Sequence, residues 1–362
     1  MITAYDYLIV GAGLFGSVFA NEARKHGKRC LVIDRRSHVG GNIYTENIGN
    51  ITVHKYGAHI FHTSDKEVWD YVNNVCKFNN FIHSPIAISG GKVYSLPFNM
   101  NTFSELWGIT TQDEAISILQ KQRQNIENPE NLEQQALSLV GKDIYETLIK
   151  EYTQKQWGRP CSELPPFIIK RIPVRFEYNN NYFTDTYQGV PENGYTAMIE
   201  NLLKNIDVSL NTKFSNELRK IAKKIIYTGG IDEFYGYMYG ALEYRTLRFE
   251  TEIIDKEFFQ KSAVVNYCDM SVPYTRIIEH KYFSNQITEK TIISREFSSK
   301  FRKGDEPYYP INDDKNNALY SRYLEESKKN PNVIFGGRLG KYSYYDMDDV
   351  VRAALDLAAS EF

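Results

Sequence analysis

Apolar positions along the chain fall into distinct rhythms. Short unbroken runs come first: Tyr7-Leu8-Ile9-Val10 and Cys30-Leu31-Val32-Ile33, matched far downstream by Ile225-Ile226-Tyr227 and Val333-Ile334-Phe335. Runs of this length that end in glycine or an acid read as strands buried on both faces of a parallel sheet. Between the first two, Val18, Ala20 and Ala23 recur at helical spacing and stop at Gly27. A final helix is predicted with Asp346 or Asp348 as N-cap and Val350, Ala353, Ala354 and Leu357 as its buried stripe. From Thr111 to Tyr152 the period is again helical. Thr111 and Glu114 are spaced for a capping box, and Ile116, Leu119, Leu137, Val140, Ile144 and Leu148 mark the apolar face. Gln122–Gln135 reads as a surface connection within it. Residues 166–190 and 245–310 alternate locally and are rich in β-branched and aromatic residues, which predicts antiparallel strands.

The pattern predicts an α/β fold in discontinuous pieces. A Rossmann-like unit takes 1–80, 191–240 and 311–362, and a helical unit takes 100–160. An antiparallel sheet unit takes 81–99, 161–190 and 241–310. A chain of 362 residues has room for two or three such units.

Composition narrows the function. Lys and Arg number 43 against 45 Asp and Glu, so there is no electrostatic footprint for nucleic acid or an anionic membrane, and an anionic ligand must be held locally. No apolar run is long enough to span a bilayer, and the N-terminus enters a strand with no leader pattern, so a cytoplasmic protein is expected. Cys30, Cys76, Cys161 and Cys268 are scattered without a CxxC pair, which predicts reduced thiols and no metal site.

The first candidate site is Gly11-Ala12-Gly13-Leu14-Phe15-Gly16, which follows a strand and opens a helix, with Asp34 ending the next strand. In this context Gly11 permits a tight turn, Gly13 admits a pyrophosphate, and Gly16 lets helix and strand pack. The helix N-terminus favours the diphosphate charge, and Asp34 suits a ribose diol. After Asp34, Arg35 leads to a second glycine pair and then Asn42, a loop suited to an extended cofactor. With the returning C-terminal strand and helix, this favours FAD over NAD, and the last helix places positive potential where reduced flavin is negative. No second GxGxxG for a nicotinamide donor is seen.

A second candidate set mixes arginine with tyrosine, of which the chain has 27 against 3 Trp. Arg171 and Arg175 precede Tyr178 and Tyr182; Tyr274 and Arg276 lie together; Tyr308-Tyr309 and Tyr342, Tyr344, Tyr345 and Asp346 follow. Guanidinium forks with phenol donors suit a diphosphate.

The segments His54-Lys55-Tyr56-Gly57-Ala58-His59-Ile60-Phe61-His62-Thr63, Lys155-Gln156-Trp157-Gly158, Lys170 to Phe176, Val272-Pro273-Tyr274-Thr275-Arg276 and Gly337-Arg338-Leu339-Gly340 together resemble bacterial UDP-galactopyranose mutases from end to end. The resemblance implies an FAD enzyme that interconverts UDP-galactopyranose and UDP-galactofuranose through a reduced-flavin N5–sugar adduct, with no net redox change. Such an enzyme feeds galactofuranose to cell-surface polysaccharide, acts as a homodimer and needs a flavin reductant that the sequence does not name. The resemblance also implies residue roles. Arg171 and Arg276 would bind the diphosphate with Tyr182, Tyr309 and Tyr344. Tyr152 would stack on uracil, Trp157 would ride a mobile substrate loop, Asp346 would orient Arg276, and Asn266 would face the sugar. His59 would lie beside flavin and sugar, with Gly57-Ala58 against the flavin edge, and Arg245, Arg338 and Met347 would be cofactor-side. Leu14, Phe15, Arg35, Gly41 and Asn42 complete the expected cofactor set. Where the family often carries large aromatics just ahead of Lys150, this chain has Leu148 and Ile149. His54, His62 and Arg175 read as structural. Alternatives are a mutase for UDP-N-acetylgalactosamine or another nucleotide sugar, and an amine-oxidase-like flavin oxidoreductase.

Overall fold

A computed structural model describes residues 4–170, 172–284 and 286–362. The apolar runs form one parallel sheet in the order Val333–Phe335, Ala222–Tyr227, Tyr5–Val10, Cys30–Ile33 and Asp207–Ser209. Strand alternation divides its core. Tyr7 and Ile9 join Val18, Phe19 and Ala23 of the helix Leu14–Lys25 and Val351, Ala354 and Ala358 of the last helix, Met347–Glu361. Leu8 points to the other face, with Ile225, Tyr227, Phe335 and Tyr323. Both caps read from the sequence form: the first helix closes over Gly27 at φ +70°, and Asp346 caps the last helix in a capping box with Asp349.

A second, seven-stranded sheet runs Tyr309–Pro310, Tyr244–Ile254, Thr291–Lys300, Arg276–Glu279, Val264–Tyr267, Ile86–Ser89 and Lys92–Ser95. It is antiparallel apart from one pair, Val264–Tyr267 on Ile86–Ser89, where strands distant in sequence meet and no hairpin dictates their direction. Helices Met100–Trp107, Gln112–Gln122 and Leu132–Ile144 pack together through Phe103, Leu119, Leu132, Ala136 and Val140. Thr111 and Glu114 make the expected capping box. The chain then passes through a π-helical turn, Tyr145–Ile149, into the helix Lys150–Trp157.

Residues 166–190 depart from expectation. A short helix, Phe167–Lys170, stands at their start, and among the described residues only Tyr187–Gly189 pairs as a strand, with Phe61–Thr63. Side chains take the carbonyls a sheet partner would have used: Arg175 donates to Asn181 O and Phe183 O, and Asn99 Nδ2 donates to Asn179 O. Among the described residues no helix is long and apolar enough to cross a membrane.

Candidate active site

Strands of the parallel sheet end together, and their ends carry Gly11, Asp34, Thr228 and Gly336. This carboxyl edge is where an open α/β sheet binds its ligand. Gly11 has φ +112°, and a Cβ there would lie 2.0 Å from Thr228 Oγ1; a Cβ on Gly16 would lie 2.1 Å from the Gly11 carbonyl oxygen. Both positions therefore require glycine. Gly13 and Gly41 face each other, with a Cβ built on Gly41 only 3.1 Å from the Gly13 Cα. The helix behind Gly13 has no side-chain N-cap, so its first N–H groups remain for an anion. Asp34 accepts from the amides of Ala12 (2.8 Å) and Arg36 (2.9 Å), which fixes its carboxylate at the end of the cradle. A dinucleotide fits here on the bare glycine surfaces, the uncapped helix and the fixed acid.

Around this cradle, Leu14 and Phe15 are buried, and Phe15 packs against Gly336 and Gly337, so each offers a ligand its backbone and not its side chain. Arg35 and Arg36 both pair with Glu306 at 2.7 Å, and Arg36 also donates to Asn42 Oδ1. Arg338 donates to Tyr345 O and Tyr308 O, and its guanidinium lies 5.6 Å from the Tyr344 ring centre and 5.9 Å from that of Tyr309. Met347 opens the last helix and packs half-buried on the core beside it.

Arg276 is the centre of the second constellation. Its Nε donates to Glu296 Oε1 at 3.0 Å, and Glu296 is 1% exposed. Burial disfavours the guanidinium charge, but Glu296 and the surrounding Tyr152, Tyr309 and Tyr344 hold its pKa above the ordinary value. Burial likewise raises the Tyr152 and Tyr309 hydroxyl pKa values, so both remain neutral donors. Tyr309 and Tyr344 stack at 5.7 Å, Trp157 lies 6.2 Å from Tyr309, and Tyr182 meets His83 edge-on at 5.5 Å. Asn266 stands directly opposite Arg276 on the neighbouring strand, and its side-chain oxygen is buried without a protein partner. A guanidinium ringed by phenols, with an open amide beside it, can hold a diphosphate and one end of a polar group attached to it.

His59 joins the two constellations. Burial, then the charges of Arg338 and Arg276, lower its pKa to about 4, so the ring is neutral at ordinary pH. Its Nδ1 lies 2.8 Å from Gly57 O. Gly57 has φ +113°, and a Cβ built on it would lie 3.4 Å from Phe249 and 3.8 Å from Glu296 Oε2, so the loop passes beside the carboxylate that holds Arg276.

Several expected residues lie elsewhere or act differently. Arg171 lies outside the described residues. Strand register gives the role of Arg276's carboxylate partner to Glu296, directly opposite it, and Asp346 caps the last helix. Arg245 is not beside the glycine cradle. Paired in register with Tyr309 and Lys300, it lies under the Lys150–Trp157 helix, donating to Gln156 O and Ser298 Oγ. There it borders a cavity of about 530 Å³ behind Trp157, and burial with nearby Arg159 lowers its pKa to about 10. Trp157 is 5% exposed and ends a helix that Lys155 pins to the carbonyls of Tyr267, Asp269 and Val272. Leu148 and Ile149 are core residues. Glu296 and His83 were not legible as site residues, since only strand register and a distant chain crossing bring them here.

Two family models match: one described as UDP-galactopyranose mutase over residues 147–344, and one as an NAD(P)-binding Rossmann-like domain over residues 9–75. A protein of Klebsiella pneumoniae named probable UDP-galactopyranose mutase is 42% identical, over 98% of this chain and 94% of its own. A dTDP-fucopyranose mutase of Escherichia coli is 38% identical over 97% of each chain. Among solved structures, a reduced UDP-galactopyranose mutase shares the fold with TM-score 0.81 at 13% identity, over 99% of this chain and 93% of that one. With the glycine cradle, the Arg276 constellation and these likenesses together, the chain belongs to the UDP-galactopyranose mutase family.

Proposed function

We propose that the protein binds FAD and interconverts UDP-galactopyranose and UDP-galactofuranose. The discontinuous unit of residues 1–80, 191–240 and 311–362 binds the cofactor; the helical unit 100–160 and the sheet unit 81–99, 161–190 and 241–310 bind the substrate. The observation that carries the reading is Arg276: a half-buried guanidinium, fixed by Glu296 and ringed by neutral tyrosines, beside a dinucleotide cradle. The cofactor, held at Gly11, Gly13 and Asp34, would supply when reduced a nucleophile for the anomeric carbon. The protein holds the departing diphosphate on Arg276, Tyr309 and Tyr344, and retention at the site makes its return effectively intramolecular. Tyr152 flanks the uracil, Asn266 and His59 meet the sugar, and buried Trp157 closes the site to water.

The likeness to a dTDP-fucopyranose mutase favours a second reading, a mutase for a thymidine-linked deoxy sugar. Dithionite-reduced enzyme under anaerobic conditions, given UDP-galactose, UDP-N-acetylgalactosamine and dTDP-fucose in parallel, decides between them by product identity. Fastest conversion of UDP-galactose to a furanose isomer is expected. Fastest conversion of dTDP-fucose establishes the second reading. Turnover only by oxidised enzyme, with peroxide released, overturns both.

A further inference from the structure

His54 is 1% exposed and His280 is fully buried, and neither contacts the diphosphate constellation. Their bonds to backbone groups fix their tautomers. The His54 amide donates to His280 Nδ1 (3.2 Å), so that nitrogen is bare and His280 Nε2 carries the hydrogen, which goes to Ser294 Oγ at 2.8 Å. The His59 amide donates to His54 Nδ1 (3.2 Å), so His54 Nε2 also carries its hydrogen. That N–H is buried and has no partner. A lone buried donor is destabilising, and a different side chain would avoid the cost. At the end of this line, His59 Nδ1 donates to Gly57 O, which leaves His59 Nε2 with a lone pair and no partner among the described residues. The line runs from the sheet residue Ser294 through two imidazoles to the loop that passes beside Glu296.

We propose that His54 is a positioning residue of the reaction: its bare Nδ1 holds the His59 amide, and so holds the His59 ring in the tautomer that offers a bare Nε2 to a sugar hydroxyl. The cleft around His59 is dominated by donors, Arg276, Arg338 and the tyrosines, which suit the diphosphate. A sugar hydroxyl also needs an acceptor, and a neutral imidazole supplies one without adding positive charge to the anion site. The unpartnered His54 donor is the accompanying cost. The proposal rests on the mutase reading.

The test compares His54→Phe, which keeps the stack on Phe283 (4.4 Å) but removes the acceptor, with His54→Asn, whose amide oxygen restores one. The wild-type rate in the same assay checks the mutase reading separately. His54→Phe is expected to lower kcat at least tenfold with flavin content unchanged and Kd for UDP within threefold. His54→Asn is expected to recover most of kcat. Imidazole 15N spectra of the seven histidines should show His59 as the Nδ1–H tautomer in the wild type and a mixture in His54→Phe. An Nε2–H His59 in the wild type, kcat for His54→Phe within twofold of wild type, or His54→Asn as slow as His54→Phe would each overturn the proposal. If His54→Phe does not fold, the wild-type spectrum and His54→Asn decide.

Discussion

Arg276 and Glu296 show how much a single pair can determine. The carboxylate fixes the fork and satisfies its charge while no ligand is present, and the tyrosines add donors without adding charge. Removing the guanidinium should therefore remove diphosphate retention and also leave the buried Glu296 carboxylate without its partner, so a loss of stability accompanies the loss of activity. Arg276→Ala is expected to lose turnover at least about a hundredfold, roughly 3 kcal/mol in the transition state, while the purified protein stays yellow. Retained turnover would refute this assignment of the diphosphate site. Glu296→Gln should destabilise the fold by about 3 kcal/mol, because an uncompensated charge is left in a mostly buried place; denaturant midpoints measure this. Arg276 was legible from the tyrosines near it in sequence, whereas Glu296 was not. It sits between Arg295 and Phe297 in a strand of ordinary alternation, and only the pairing of residue 276 with residue 296 gives it meaning.

At the scale of elements, local rules explain what was legible. Thr111 and Glu114 form their box because both partners lie within one turn. Thr111→Ala should cost about 1 kcal/mol in thermal or denaturant melts and leave turnover unchanged, since the box is on an exposed face away from the cleft. Gly11→Ala should behave oppositely. Its added methyl meets Thr228 and its φ is strained, so the protein should purify without flavin and melt earlier. Yellow Gly11→Ala protein at full occupancy would contradict the cradle geometry. Residues 172–186 were illegible for a physical reason: Asn99 and Arg175 satisfy their carbonyls from outside any ladder, and alternation alone carries no sign of it.

Over the whole molecule, buried neutral histidines link stability to pH. The pKa values of His54, His59, His83 and His280 all lie below the ordinary value: about 4 for His59, about 3 for His83 and His280, and well below it for His54, with burial the first cause in each. The unfolded chain protonates them near pH 6.5 and the folded chain does not, so their contribution is complete above that pH and declines as pH falls toward the folded values. Between pH 7 and pH 5.5 His59, His83 and His280 together should cost on the order of 4 kcal/mol, and His54 acts in the same direction. Denaturant titrations across that window should show the loss, and a flat profile would contradict neutral burial. The α/β class and the positions of the main strands were legible because their apolar runs are unbroken. Strand order was not, since nothing local places residues 222–227 between residues 5–10 and 333–335.

That strand order also sets a timetable for the newly made chain. The glycine turn leaves the ribosome more than two hundred residues before Thr228 and more than three hundred before the Gly336 face, the two parts that close around it. The nascent chain must carry its cofactor cradle open over that interval, and flavin capture must wait until both closing parts have emerged. Ribosome-stalled chains ending before residue 333 should fail to retain flavin, whereas chains with the last helix outside the exit tunnel should hold it.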